Sequence, residues 1–314
     1  MYSSSHSTVL VSRRLLAASF EPHVRFITNP FLRLASNAQP PRMWRTYFTR
    51  KQLPPKLLDT ASMSLPMPEQ VKIPVQDDRG GFAPAILHIQ QGDQLAKDGA
   101  VVLVSGAGGG VSGPAGIYPS LAEKLATLAG VPTLRLDYRQ AARNNYCTAD
   151  LLASLNYLAE RLGSRRFIVV GWSFGGAPCF TAADQDSRIV GVAAVASQTD
   201  GTSGIRRLAP RPVLLMHGTK DQILSDSCSK HLFKMYGNES GERTLRLFKG
   251  DDHSLTMNAI EVERLLYDFV QKALGMDLGG GDATGSMNQG MLGSGQESIE
   301  AVKVGGNLKN REAP

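Results

Sequence analysis

The sequence predicts an α/β protein with a mainly parallel sheet and helices on both faces. Short apolar runs alternate with longer helix-compatible segments, and many of these runs end in glycine-containing or polar turns. Such alternation implies crossover connections, which make neighbouring strands parallel and place helices on both sides of the sheet. About two hundred residues between 70 and 274 take part, which is enough for one domain with a sizeable core.

The elements follow one another in a regular order. Apolar runs of strand length predict strands at 71–75, 85–89, 100–104, 132–136, 167–170, 189–196, 212–217 and 244–248. Longer segments between them predict helices at 118–129, 147–162, 177–183, 227–236 and 255–274. The connection at 197–211 is too short to form a large cap domain, so we expect none and an open site.

The segment Gly171-Trp172-Ser173-Phe174-Gly175 lies between a predicted strand and a predicted helix. This strand–turn–helix context is what a nucleophile elbow requires, because the strained turn lifts the serine hydroxyl clear of the sheet. The two flanking glycines leave room for the crowded backbone around it. Ser173 is therefore predicted to be a nucleophile.

An acid and a histidine follow in the order that such a nucleophile requires. Asp221 lies in the turn after the strand at 212–217, and His253 follows the strand at 244–248. Because active sites of open α/β sheets lie at the carboxyl ends of strands, we expect both to come close to Ser173. His253 would accept the Ser173 proton, and Asp221 would hold the histidine tautomer and stabilise the imidazolium.

Simpler interpretations of these residues remain open. Asp221 could be a turn or helix-capping residue, and His253 could cap the helix that follows it. Asp251 and Asp252 are rival acids, but they are too close to His253 along the backbone, so we interpret them as turn residues. His217 is interpreted as a strand-end residue near the floor of the site. We expect no bound metal, because no third His or Cys has ligand spacing.

Two backbone N–H donors are expected to stabilise an oxyanion. The N–H of Phe174 directly follows the nucleophile, and the glycine-rich turn at 105–110 follows an earlier strand. Ala107 is the predicted donor in that turn. We call residues 105–110 the glycine loop.

The same region offers a rival from another class. Residues 108–113 fit the pattern G-x-G-x-x-G, and Asp137 ends the next strand, where a ribose-binding carboxylate of an NAD-binding dehydrogenase would fall. In such proteins the helix begins within the glycines. Here Pro114 and Gly116 delay it to about Tyr118, which spoils the phosphate cradle. This alternative also leaves Ser173, Asp221 and His253 unexplained.

These motifs together resemble the α/β-hydrolase superfamily. The matching segments lie within about residues 70–274; they are 105–109, 136–139, 171–176, 217–221 and 252–253. The chain is most similar to small dienelactone-hydrolase-like and serine-aminopeptidase-like proteins. The resemblance implies hydrolysis of an ester, thioester or amide without a cofactor. Two departures matter: Ser105 stands where many relatives carry His, and Ser173 stands where dienelactone hydrolases proper use Cys.

The two ends differ from the middle of the chain. Residues 1–58 carry nine Lys or Arg and one acid, a net charge of +8, so the whole-chain value of +6 leaves −2 for the rest. The basic charge therefore belongs to the leader and does not indicate a nucleic-acid partner. This Arg-rich, Ser-rich composition is typical of a mitochondrial transit peptide, with a disordered extension or a start at Met63 as alternatives.

We accordingly expect a leader at 1–62, a hydrolase domain at 63–274 and a glycine-rich disordered tail at 275–314. No apolar run reaches membrane-spanning length. Cys147, Cys179 and Cys228 have no paired spacing, which suits reduced thiols in an intracellular compartment.

The expected partner is a small-molecule substrate, and nothing in the sequence indicates the oligomeric state. The main alternative is a catalytically idle hydrolase fold that binds a ligand or a protein. It would not require all three residues of a triad.

Overall fold

The computed structural model describes residues 68–90, 98–237 and 241–276. The predicted leader at 1–62 and the tail from 277 onward lie outside the described residues, so the domain boundaries and the transit peptide stay predictions. Within the described residues, no helix is long and apolar enough to cross a membrane.

An eight-stranded sheet forms the centre of the described domain. Its strands are β1 (Glu69–Pro74), β2 (Phe82–His88), β3 (Gly99–Val104), β4 (Thr133–Leu136), β5 (Arg166–Trp172), β6 (Ile189–Val195), β7 (Val213–Gly218) and β8 (Arg243–Phe248). They lie side by side in the order β1-β2-β4-β3-β5-β6-β7-β8. β1 and β2 pair in antiparallel fashion at one edge, and the strands from β4 to β8 are parallel. The predicted fold class is confirmed.

Helices cover both faces of this sheet. They are α1 (Ile117–Ala129), α2 (Asn144–Leu162), α3 (Gly176–Gln185), α4 (Ser227–Met235) and α5 (Ala259–Ala273). α1 and α5 pack on one face, and the buried side chains of α2, α3 and α4 form a second core on the other. β3 is buried along its whole length. Central parallel strands covered on both sides are expected to be continuously apolar, which explains why they were recognisable in the sequence.

Two helices begin three or more residues away from their predicted starts. The last helix was expected from residue 255, but Leu255 has φ 57° and a short 3₁₀ turn, Thr256–Asn258, precedes α5. A left-handed residue cannot continue a helix, so α5 begins at Ala259. α2 begins at Asn144, three residues before the predicted start at Cys147.

The connection between β6 and β7 contains only the 3₁₀ segment Ser203–Arg207. No large cap covers the carboxyl ends of the strands in the described part of the chain. These ends, where several of the loops named in the sequence analysis meet, therefore lie open.

Candidate active site

Ser173 occupies a strained turn at the end of β5. Its φ is 54°, a left-handed value that a residue with a side chain rarely adopts. The chain passes from β5 through the 3₁₀ turn Ser173–Gly175 directly into α3. Backbone strain of this kind costs about 1–3 kcal/mol and persists only where the surrounding structure enforces it.

Two glycines make this turn possible. A Cβ atom on Gly171 would lie 2.4 Å from the carbonyl oxygen of Gly175, and one on Gly175 would lie 2.5 Å from the carbonyl oxygen of Ser105. Real Cβ atoms do not approach backbone that closely, so neither position tolerates a side chain without movement of the main chain. The collisions expected from the sequence are therefore present. The second one also shows that the elbow packs directly against the glycine loop.

His253 and Asp221 are joined by a short hydrogen bond. His253 Nδ1 lies 2.7 Å from Asp221 Oδ2, while Asp221 Oδ1 accepts the backbone N–H groups of Ile223 at 2.8 Å and Leu224 at 2.9 Å. The Asp221 side chain has no exposed surface. Because an ionised carboxylate only accepts, Nδ1 carries the proton and Nε2 of the neutral ring is an acceptor.

The Nε2 atom of His253 is buried and has no hydrogen-bond partner among the described residues. Ser173 lies on the end of β5 in the same sheet, but its hydroxyl makes no hydrogen bond to His253 in this structure. Catalytic hydrogen bonds that are absent without substrate often form only in the substrate complex. The structure thus brings His253 and Asp221 into contact and shows no hydrogen bond between Ser173 and His253.

Trp172 links the elbow to the loop that carries the histidine. Its Nε1–H donates to the carbonyl oxygen of His253 at 3.2 Å, and the two rings lie 5.7 Å apart between centroids at an angle of 41°. The sequence analysis gave Trp172 no role. It occupies the first variable position of the elbow pattern, which the pattern itself leaves open to any residue.

The two rival acids are bonded within their own loop. Asp251 is fully buried and accepts the N–H of Met257 at 3.1 Å and the side-chain amide of Asn258 at 2.7 Å. Asp252 accepts the N–H groups of Ser254 and Thr256, both at 3.0 Å. Neither bonds to His253, so both are turn residues that shape its loop.

The glycine loop begins directly after β3 and lies beside the elbow. Tyr138 holds the two together: its hydroxyl donates to the Ser105 carbonyl oxygen at 2.9 Å, and its ring meets the Phe174 ring edge-on with centroids 6.1 Å apart. Among the backbone hydrogen bonds of the described turns and loops, none has the N–H of Ala107 or of Phe174 as its donor. Both stay predicted oxyanion donors.

Asp137 accepts hydrogen bonds that hold the glycine loop in place. It is 4% exposed, and its Oδ1 accepts the N–H of Gly110 at 2.7 Å and that of Tyr138 at 2.8 Å. Burial raises the pKa of this carboxyl above its usual value, and the two N–H groups only partly oppose that shift. A carboxylate turned inward onto its own loop is not placed to bind a ribose. The helix after the glycines begins only at Ile117, so both observations count against the dinucleotide-binding alternative.

Arg139, in the loop after β4, is bound by acids of the protein itself. It forms ion pairs with Asp77 and Asp150, donates to the Gly80 carbonyl oxygen and is 10% exposed. The bond from Arg139 holds the pKa of Asp77 well below its usual range. These acids lie 62 and 11 residues from Arg139, so no local pattern predicted the cluster. Arg143, four residues further on, is exposed.

In the described part of the chain, the site residues form no cluster of metal ligands and lie outside the groove between β1 and α2. The described residues contain no group of His, Cys, Asp or Glu side chains that could hold a metal ion. A groove of about 420 Å³ lies between β1 and α2, lined by residues such as Val75 and Leu152, and it includes none of the site residues.

Comparison with known proteins agrees with this description. The family profile of the alpha/beta hydrolase fold matches residues 99–247. Among solved structures, Est1E from Butyrivibrio proteoclasticus is 17% identical with a TM-score of 0.54, over 65% of this chain and 99% of that chain. Dienelactone hydrolase from Anabaena variabilis is 17% identical with a TM-score of 0.54, over 65% and 98% of the two chains.

An alpha-beta serine hydrolase homologue from Coxiella burnetii is 18% identical with a TM-score of 0.52, over 63% of this chain and 96% of that chain. Comparison with curated proteins gave no significant match. The chain therefore has the alpha/beta hydrolase fold, which the family profile and these structural neighbours share.

Proposed function

We propose that this protein is a serine hydrolase that cleaves carboxylic ester, thioester or amide bonds in small substrates through an acyl-enzyme intermediate, without a cofactor. The observation that carries the proposal is the 2.7 Å bond between His253 Nδ1 and Asp221 Oδ2 at the strand ends, in the same sheet that holds Ser173 in a positive-φ elbow. A fold used only for binding requires neither feature. The unpaired, buried Nε2 of His253 adds support, because a buried acceptor without a partner is costly unless it has a function.

In the proposed mechanism, His253 Nε2 takes the proton of Ser173 as Oγ bonds to the acyl carbon. The carbonyl electrons move to the oxygen, where the N–H groups of Ala107 and Phe174 stabilise the negative charge. The intermediate then collapses, the bond to the leaving group breaks, and His253 returns the proton to that group. Water repeats the sequence on the acyl-enzyme, releases the acid and restores Ser173.

Asp221 stays ionised throughout this cycle. It orients the His253 ring with Nε2 towards the reacting proton and stabilises the imidazolium that forms twice per turnover. The two backbone N–H groups on its other oxygen hold the carboxylate in place.

The open site favours small acyl groups. The short connection between β6 and β7 provides little apolar wall for a long chain. Ile223 and Met257, in the loops that bear the acid and the histidine, are large apolar side chains with exposed surface. Est1E, one of the structural neighbours, binds ferulic acid, which is consistent with a compact carboxylic acid as the acyl group.

The test is active-site labelling with a fluorophosphonate probe, followed by a screen of esters, thioesters and aminoacyl amides. We expect the wild-type protein to be labelled and Ser173→Ala to lose both labelling and turnover while remaining folded. Ser254→Ala, which removes a neighbouring hydroxyl in the His253 loop, is the matched control and should still be labelled. Undiminished hydrolysis by Ser173→Ala would refute the proposal. A wild-type protein that neither reacts with the probe nor turns over any substrate would favour the binding-only alternative.

A further inference from the structure

A second histidine contacts the acid of the proposed triad. His217 ends β7, its side chain has no exposed surface, and its Nε2 lies 3.0 Å from Asp221 Oδ2. That is the same oxygen that receives His253 Nδ1. The His217 Nε2 atom also lies 2.9 Å from the carbonyl oxygen of Leu224, and its Nδ1 lies 2.7 Å from the hydroxyl of Ser229 on α4.

These partners determine where the proton of His217 sits. A carbonyl oxygen can only accept, so Nε2 carries a proton and donates it to the Leu224 carbonyl, with Asp221 Oδ2 3.0 Å from the same nitrogen. In the neutral ring Nδ1 is then the acceptor, and the Ser229 hydroxyl donates to it. Protonation of Nδ1 would require this buried hydroxyl to reverse, which opposes formation of an imidazolium beside Asp221.

We propose that His217 is a positioning residue for the acid: a neutral second histidine whose Nε2–H group lies against Asp221 Oδ2 and so sets both its orientation and its strength as an acceptor for His253. This inference rests on the proposed function. Asp221 accepts three hydrogen bonds, two on Oδ1 and one on Oδ2, and the His217 Nε2–H group makes a further polar contact with Oδ2 at 3.0 Å. Each added donor stabilises the ionised carboxylate and weakens its pull on the His253 proton. His217 thereby keeps His253 a base at lower pH than Asp221 without this donor would allow.

Few other titratable groups among the described residues lie near His217 and Asp221. Cys228, on α4, is close enough to interact with the Asp221 carboxylate. Burial raises the pKa of its thiol, and the Asp221 and Asp226 carboxylates raise it further. In the His253 loop, the Asp251 and Asp252 carboxylates are engaged by backbone N–H groups of that loop. Trp172, from β5, is not titratable. His217 and Asp221 are therefore the groups through which the pH response of His253 is adjusted.

The experiment compares His217→Leu, which removes the donor, with His217→Gln, whose side-chain amide can donate from the position of Nε2. The control is His88→Leu. His88 is a second buried histidine bonded at both ring nitrogens, to Glu123 and Arg135, on β2. The pH dependence of kcat/KM is measured for all three and for wild type, and the His253 ring is titrated by NMR without substrate.

For His217→Leu we expect kcat to fall about tenfold at an unchanged KM, the lower end of what a polar N–H contact to a charged group supports. The acidic limb of the profile and the NMR midpoint of His253 should both move to higher pH, by about half a unit to one unit. His217→Gln should restore the limb and the midpoint. His88→Leu should lower thermal stability and leave both where they are in wild type.

An unmoved limb and midpoint in His217→Leu would overturn the inference, as would a His217→Gln variant that behaves like His217→Leu. A shift of equal size in His88→Leu would also overturn it, because it would show a general effect of lost stability. The NMR titration separates this outcome from failure of the proposed function. If wild type is neither labelled nor active but the midpoint moves as expected, the pairing of His217 with Asp221 holds and the hydrolase proposal fails.

Discussion

The most informative single change is Asp221→Asn. The carboxylate receives His253 on Oδ2, at 2.7 Å, and two backbone N–H groups on Oδ1. An asparagine in this position keeps its oxygen on the two N–H groups, since the amide nitrogen cannot accept from them. Its NH₂ group must then face His253 Nδ1. To avoid two opposed donors, His253 changes tautomer and places its proton on Nε2, where it can no longer accept the Ser173 proton.

We expect kcat/KM to fall about 10⁴-fold, which corresponds to roughly 5.5 kcal/mol of lost transition-state stabilisation. The assay is hydrolysis of a short-chain aryl ester at neutral pH, with thermal unfolding measured in parallel to show that the variant is folded. Asp252→Asn is the matched control. Its side chain accepts N–H groups at the start of the next turn, and the oxygen of an asparagine can do the same.

Activity of Asp221→Asn within about tenfold of wild type would contradict the tautomer argument. A large loss in Asp252→Asn with little loss in Asp221→Asn would show that the acid had been assigned to the wrong residue.

Two further predictions follow from the open site and from the support of the glycine loop. On aryl esters from acetyl to palmitoyl, kcat/KM should peak at about two to four acyl carbons, because each methylene left in water forgoes about 0.8 kcal/mol of transfer energy; a steep rise towards long chains would reveal an apolar tunnel. The pKa of Asp137 is raised by burial, so its contribution to stability is full below its usual pKa and is lost as pH rises through the folded-state value. Asp137→Asn should keep both backbone bonds through its oxygen and remove that loss. The free energy of unfolding of the variant, measured with denaturant, should therefore increase relative to that of wild type as pH rises. Parallel plots of this free energy against pH for the two proteins would refute the prediction.

The elbow and the strands were predictable because their signals are local. The run from β5 through Gly171 and Gly175 into α3 occupies consecutive residues, and its steric demands can be worked out from the backbone alone. The continuous apolar strands of a sheet covered on both faces are similarly distinct. The order of strand ends then indicated that Asp221 and His253 belong at one edge of the sheet.

Long-range pairings were not predictable in this way. His217 and Asp221 are four residues apart, but only the turn after β7 decides that the ring folds back onto the carboxylate and that α4 supplies Ser229. Trp172 and His253 are 81 residues apart, and their contact depends on the order of strands in the sheet. The acids that pair with Arg139, Asp77 and Asp150, were likewise not visible as partners in the sequence.

The left-handed backbone at Ser173 sets stability against activity at a single residue. Glycine adopts φ near 54° without penalty, so Ser173→Gly would relieve strain of order 1 kcal/mol in the same turn. The turn would then be less strained, and the protein would lack its proposed nucleophile. Selection for thermal stability alone would therefore favour loss of Ser173, and a programme to stabilise this protein would have to hold position 173 fixed and search elsewhere.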